Sequence, residues 1–266
     1  MSMSIGCVGC GNMGGAILAG LAASSLDCTL YGHTRTAARM APLEAAGVTR
    51  LDSARELARK ARYVVMAVKP YQIESLLAEM APEFGPDTVV ISVAAGISIA
   101  RLQAAVAGRC PVVRCMPNTP ALVGKGVFAL CFDDKVPAES KEDILRFFSQ
   151  LGVCLELPES RFTAFSALIG AGPAYVFGMM QGLVQAGVTL GLGRKDCRDM
   201  VAALFEGSAV MAARSDTPLM ELRDQVCSPG GLTIAGANVL DRAGLSGLLV
   251  DAVLAADQRG RDMEKE

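Results

Sequence analysis

Through the first half of the chain, apolar residues fall in short runs divided by turn residues; through the second they recur at helical spacing. Residues 4–9 read as a short apolar strand and 12–23 as a helix of Ala, Leu and Gly. A second strand over 28–32 is followed by a helix over 37–46. Residues 63–68 are strongly apolar and read as the third strand, or the fourth if 48–51 counts as one. Next come a helix over 71–80, a strand over 88–93, a helix over 99–106 and a strand over 112–115. Such repeated β–α–β units predict an α/β domain, a doubly wound parallel sheet with helices on both faces. Beyond about residue 157 strand signals stop, and the helical pattern breaks only near 190–193, Thr217-Pro218 and 228–231. The expected organisation is a dinucleotide-binding domain over 1–158 and an all-helical domain over 159–266, with no flexible linker.

One stretch of that second half is open to two readings. From Thr163 to Gly193 no residue is charged, and such a run can span a membrane. It also holds Pro173, Gln181, Gln185 and seven glycines, lacks an aromatic belt, and is flanked by Arg161, Arg194 and Lys195 with little asymmetry. These features favour a helix buried on all sides, as in an intertwined dimer. Residues 1–20 lack a basic n-region and run into a glycine turn, so no signal peptide is expected.

Composition narrows the classes. With 52% hydrophobic and 20% charged residues among 266, disorder is excluded. The 25 basic residues are offset by 27 acidic ones without a basic block, which disfavours a nucleic-acid partner. Nine cysteines without a framework spacing fit a reducing cytoplasm. The single histidine, His33, removes most acid–base and metal machinery. No metal site is expected: Cys7-Val8-Gly9-Cys10 is formally C-x-x-C, but no second such pair follows, and both thiols read as small buried apolar groups, as the 13 methionines read as core.

The strongest local motif is Gly9-Cys10-Gly11-Asn12-Met13-Gly14, a GxGxxG that follows a strand and opens a helix. Gly9 permits the turn, Gly11 lets backbone approach a pyrophosphate, and Gly14 allows close helix–strand packing, while the N–H groups at Asn12 and Met13 face the phosphates. An NAD site usually carries an acid at the end of the second strand. Here that strand ends in His33-Thr34-Arg35-Thr36, with Asp27 at the opposite end. Arg35, with donors from His33 and Thr34, suits a 2′-phosphate, so NADPH is expected and NADH is the alternative.

Six patches together resemble pyrroline-5-carboxylate reductase, the last enzyme of proline biosynthesis, nearly end to end. They are the glycine turn with Ala16-Ile17; Ala67-Val68-Lys69-Pro70; residues 92–96; Arg114-Cys115-Met116-Pro117-Asn118-Thr119-Pro120; Gly172-Pro173-Ala174-Tyr175; and Val226-Cys227-Ser228-Pro229-Gly230-Gly231-Leu232-Thr233, followed by Leu240-Asp241. The resemblance implies a Rossmann-type doubly wound domain followed by an all-helical dimerisation domain. It also implies a homodimer or an oligomer of dimers, and NAD(P)H-dependent reduction of a cyclic imine, a small-molecule substrate, with no membrane or nucleic acid. It assigns the uncharged run to a dimer-core helix. It puts Ala67, Val68, Lys69, Pro70, Ala94, Ala95 and Asn118 beside the cofactor, and Val226, Ser228, Gly230, Gly231 and Leu232 around the substrate. Thr233 is the implied catalytic residue, its hydroxyl on the ring nitrogen.

That chemistry suits a chain poor in histidine. A protonated imine is already electrophilic, so the protein has mainly to orient two rings and hold a carboxylate. Departures from the family pattern are the missing hydroxyls at Ile169-Gly170-Ala171, Ala54 where an Asn is frequent, and the loose placement of an acid at Asp216. Three rivals stand beside this reading. A 3-hydroxyacid dehydrogenase would need a Lys or His base, and the helical half offers only Lys195 and Lys265. A reductase of a related cyclic imine differs only in pocket size. A non-catalytic dinucleotide sensor would have no need of an intact 228–233 turn.

Overall fold

A computed structural model describes residues 3–263. The chain divides into two compact units: one runs to Gly170 and takes in the chain end from Arg259, and the other is Ala171–Gln258.

The first unit is built as β1 (Met3–Val8), α1 (Asn12–Ala22), β2 (Cys28–His33), α2 (Ala41–Ala45), β3 (Thr49–Arg50), α3 (Ala54–Lys60), β4 (Tyr63–Met66), α4 (Pro70–Met80), β5 (Val89–Ser92), α5 (Ile99–Ala105), β6 (Val112–Met116), β7 (Gly126–Phe132), α6 (Ala138–Ser149), β8 (Gly152–Glu156) and α7 (Phe162–Phe165). These strands form one sheet in the order β3-β2-β1-β4-β5-β6-β7-β8. The first six strands are mutually parallel; β7 runs antiparallel to β6, and β8 runs with β7. Strand order reverses at β1, where Ile5 lies between Leu30 of β2 and Tyr63 of β4. In open sheets of this kind the crevice at that reversal, beyond the strand carboxyl ends, takes the ligand.

Period-two alternation explains the two apolar layers. Tyr63, Val65 and Ile91 point into one, with Leu18, Phe147 and Phe148; Val64, Met66 and Val90 point into the other, with Leu57, Leu77 and Leu102. Every residue of β4 and β5 is buried, as continuous apolar runs in central parallel strands require.

Four features differ from the sequence expectation. The helix over 37–46 is instead a 3-10 turn, Ala37–Arg39, and then the short α2, because Pro42 in its first turn starts a new helix. Helix α3 and the set β7, α6 and β8 have no counterpart in the sequence reading. In β8 the apolar Val153 and Leu155 are exposed, which blurs the alternation. Finally, the compact boundary falls at 170/171, beyond the expected 158/159, because Phe162 and Phe165 of α7 pack with Ala129 of β7.

The second unit holds α8 (Gly172–Thr189), α9 (Arg194–Ala213), α10 (Leu219–Gln225), α11 (Leu232–Arg242) and most of α12 (Leu245–Met263). The expected breaks coincide with the α8–α9, α9–α10 and α10–α11 turns. Its core is small: Val184, Cys197 and Val201, with Met180, Val188 and Phe205 against them. Gly187 makes the α8–α9 approach possible, since a Cβ there would meet Cys197 Sγ at 2.6 Å.

The uncharged run is not a helix buried on all sides within one chain. It is divided among the end of α7, a π-turn over Ser166–Gly170 and α8, in which Val184 alone is buried. Glu159–Thr189 is long and apolar enough to cross a membrane by length and composition, yet only 11% of its most apolar window is buried. Phe177 is 65% exposed and Leu254 60% exposed, so the apolar surface of this unit is far larger than its own core covers.

Candidate active site

The carboxyl ends of β1, β2 and β4 form a candidate cofactor cradle within the first unit. Gly9 follows β1 with φ +97°, a backbone state open to glycine at little cost. A Cβ there would lie 2.7 Å from the Ala67 carbonyl oxygen and 2.8 Å from Val68 Cγ1, so β1 and β4 pass too closely for any larger residue. Gly9 N–H donates to His33 O at 2.8 Å, which ties the turn to the end of β2. A Cβ at Gly14 would overlap Gly9 O and approach Cys7 Sγ at 2.8 Å. Gly11 caps α1 without any side-chain hydrogen bond, and the first turn, with Asn12 and Met13, carries no acid. The amino end of α1 therefore presents uncapped N–H groups and the positive end of the helix dipole, a cradle shaped for a phosphate.

Along the end of β2, His33 Nδ1 is held 3.0 Å from Leu51 O. Thr34 is half-buried and Arg35 is exposed, with no ion pair among the described residues. Beyond them Arg39, which sequence reasoning passed over inside a supposed helix, reaches back to the glycine turn: a Cβ at Gly11 would be 3.0 Å from its Nη1. Ala54, where the family often has Asn, is a buried first residue of α3. There Ser53 Oγ accepts from Glu56 N–H at 3.1 Å and Glu56 Oε2 accepts from Asp52 N–H at 3.2 Å.

Strand β4 ends at Met66, so Ala67, Val68 and Lys69 form the loop beyond it and Pro70 opens α4 with Lys69 as its cap. Ala67 N–H donates to Val8 O at 2.8 Å, which keeps this loop beside the glycine turn. Ala94 is buried and Ala95 exposed just past β5. Asn118 is buried beyond β6; its Oδ1 accepts from Val127 N–H at 2.9 Å and its Nδ2 donates to Ile169 O at 3.3 Å. Its amide thus anchors the loop. Arg114, which was not among the expected site residues, is also buried. It donates to Glu159 Oε1 at 2.9 Å, lies over the Phe162 ring at 4.6 Å, and lines a cavity of about 380 Å³ with Gly96, Ser98 and Thr163.

The thiols at the glycine turn pack rather than project. Cys7 and Cys10 share one buried cluster. Their mutual hydrogen bond pushes the Cys7 thiol well up and, as the largest influence, holds Cys10 below the ordinary cysteine value. Burial pushes Cys110 up to about 12 and Cys154 to about 11, so neither is a nucleophile at neutral pH.

In the second unit, the α10–α11 turn builds another uncapped helix start. Val226 is exposed at the end of α10, and Gly230 has φ +69°. Gly231 caps α11 without a side-chain bond, and a Cβ there would overlap Ser228 Oγ. Gly231 N–H donates to Ser228 O at 3.0 Å. Leu232 and Thr233 are the first two residues of α11, Leu232 being 95% exposed. Arg223 of α10 clamps the turn, donating to Asp241 at 3.0 and 3.1 Å. This start offers a second set of anion-binding N–H groups with one hydroxyl beside them.

A glycine turn at the reversal of a doubly wound sheet, with a separate helical unit presenting an anion-binding helix start, defines a dinucleotide-dependent oxidoreductase. A family model described as pyrroline-5-carboxylate reductase dimerisation matches residues 159–263, and one described as NADP oxidoreductase coenzyme F420-dependent matches 4–96. Pyrroline-5-carboxylate reductase of Corynebacterium melassecola is 35% identical over 267 residues, covering 98% of this chain and 99% of its own. The crystal structure of Plasmodium falciparum pyrroline carboxylate reductase with NADP bound matches with a TM-score of 0.86 and 31% identity, covering 98% of each chain. A Coxiella burnetii pyrroline-5-carboxylate reductase structure matches with a TM-score of 0.91 and 29% identity, also over 98% of each. The chain belongs to the pyrroline-5-carboxylate reductase family.

Proposed function

We propose that this protein reduces 1-pyrroline-5-carboxylate to L-proline with NADPH, the last step of proline biosynthesis. Kinship over the whole length, with the 228–233 turn intact, carries the reading. The residues fit the cofactor: Gly9 and Gly14 let the turn, α1 and the Ala67–Val68 loop pack closer than any Cβ would allow, and α1 leaves its N–H groups for the pyrophosphate. When bound, NADPH supplies a hydride to the imine carbon, and the protonated ring nitrogen takes up the electron pair of the C=N bond.

The chain's own residues bind and orient. His33, Thr34 and Arg35 flank the adenosine ribose. Ala67, Val68, Lys69 and Pro70, with Ala94 and Ala95, line the nicotinamide side, and Asn118 holds the adjoining loop. In the helical unit the N–H groups of Gly230 and Leu232 receive the substrate carboxylate, Val226, Ser228 and Gly231 border it, and the Thr233 hydroxyl hydrogen-bonds the ring nitrogen. The working form is a homodimer or an assembly of dimers, in which a partner's helices, rather than a lipid bilayer, cover α8. Nine free cysteines accord with a cytoplasmic setting.

The test mixes purified protein and NADPH with five- and six-membered cyclic imine carboxylates and follows nicotinamide absorbance. Oxidation with the five-membered ring is expected; none with that ring overturns the proposal.

A further inference from the structure

Two arginines follow β2, and their surroundings differ. Both are exposed, but among the described residues no hydrogen bond or ion pair holds the Arg35 guanidinium. Arg39 ends the 3-10 turn Ala37–Arg39, where its N–H donates to Thr36 O at 3.0 Å. Its neighbour Met40 is fully buried and packs so tightly on β2 that a Cβ at Gly32 would lie 2.8 Å from Met40 Cε. The backbone at Arg39 is therefore pinned to the core, and the side chain turns back over the glycine loop, with Nη1 beside Gly11. No acid pairs with Arg39 among the described residues, so a planar five-donor cation stands over the cradle without a counter-charge.

A dinucleotide brings two anionic groups to this corner. The pyrophosphate is met by the uncapped amino end of α1, which needs no side-chain cation. A 2′-phosphate on the adenosine ribose would lie toward the end of β2, which no acid directly follows in sequence; Asp27 precedes that strand, and the acid beside it is Asp52, next after the Leu51 whose carbonyl meets His33 Nδ1. We propose that Arg39, anchored through Met40 and laid over Gly11, is the residue that reads the adenosine 2′-phosphate and so sets the preference for NADPH over NADH. Arg35 is a flanking charge with a smaller share. This inference rests on the dinucleotide reading of the glycine turn and deepens it.

Binding, measured by isothermal titration at fixed salt, tests it apart from turnover. The ligands are NADPH, NADH and adenosine 2′,5′-bisphosphate; the proteins are wild type, Arg39→Ala, Arg39→Lys and Arg35→Ala. Losing a charge-assisted pair predicts that Arg39→Ala weakens NADPH and the bisphosphate by about ten- to a hundredfold. NADH should stay within about twofold, Arg39→Lys should recover part of the loss, and Arg35→Ala should cost less than Arg39→Ala. The salt dependence of NADPH binding should also flatten in Arg39→Ala. Equal weakening of NADPH and NADH would assign Arg39 to the pyrophosphate or to the turn itself and overturn the proposal, as would unchanged NADPH affinity. A wild-type protein that binds NADPH while Arg39→Ala keeps its preference refutes the role of Arg39 alone; one that binds neither nucleotide refutes the cofactor reading as well. Melting temperatures of the variants separate local loss from misfolding.

Discussion

Gly14 lies so close under the carbonyl oxygen of Gly9 that a single added methyl would occupy the same space. The chain turns from strand to helix through that contact, and with Cys7 Sγ and Ala67 Cβ also within 3 Å of such a methyl, no neighbour can yield cheaply. Gly14→Ala should therefore cost about 1–3 kcal/mol of stability by overpacking and abolish NADPH binding. Gly15, one residue on, has only Cys10 O at 3.8 Å. There alanine should be neutral or stabilising by up to about 1 kcal/mol, through helix propensity. Urea unfolding of the two variants decides the matter: equal costs would mean the tight contact is not what demands glycine.

Thr233 gives the sharpest test of chemistry. It stands in the first turn of α11, beside N–H groups that no side chain caps. Thr233→Ala should lower kcat by about ten- to a hundredfold, the worth of one hydrogen bond to a charged nitrogen, while NADPH affinity changes by less than about twofold. Thr233→Ser should restore most of the rate. Parallel losses of rate and cofactor affinity would point to a damaged fold rather than a missing hydroxyl.

How far the sequence revealed this arrangement depended on whether a feature was local. β4 and β5 are buried on both faces, so each is an uninterrupted apolar run, and the glycine turn is legible because its spacing falls between a strand and a helix. The edge of the sheet was harder. β8 exposes Val153 and Leu155, so no alternation marks it, and α6 could not be placed without it. Arg39 was hidden for a different reason: Ala37 to Ala46 has helical composition, and Pro42 divides it in a way that only the buried Met40 makes decisive. The uncharged run needed most from outside the chain. Its apolar surface is compatible with lipid or with protein by composition alone, and kinship supplied the distinction.

That surface yields a prediction about assembly. Phe177 on α8 is 65% exposed, although the helix around it carries no charge. If a second copy covers this face, Phe177→Glu places a charge in an apolar interface and should shift sedimentation toward the monomer at micromolar concentration. Substitution of Lys195 by Glu, at a charged helix start, should leave the assembly intact. A Phe177→Glu protein that sediments like wild type would place the interface elsewhere.

The last prediction concerns the first unit away from the site. Tyr63 is fully buried in β4, and its hydroxyl donates to Asp143 Oδ2 at 2.6 Å, joining the sheet to α6. Burial, and after it the Asp143 carboxylate, holds the phenol above its ordinary value of about 10. The folded protein then keeps a proton that the unfolded chain releases, so this contribution is fully present below about pH 10 and is lost as pH rises from there toward the folded value. Tyr63→Phe should cost about 0.5–1.5 kcal/mol at neutral pH, the net worth of one hydrogen bond. The modest end is expected, since Arg146 still reaches Asp143 at 2.6 Å. Other groups titrate in alkali too, so the decisive quantity is the difference between wild type and variant in urea unfolding from pH 7 to 11. That difference should shrink above pH 10; a constant gap across the range would show that the phenol titrates alike in both states.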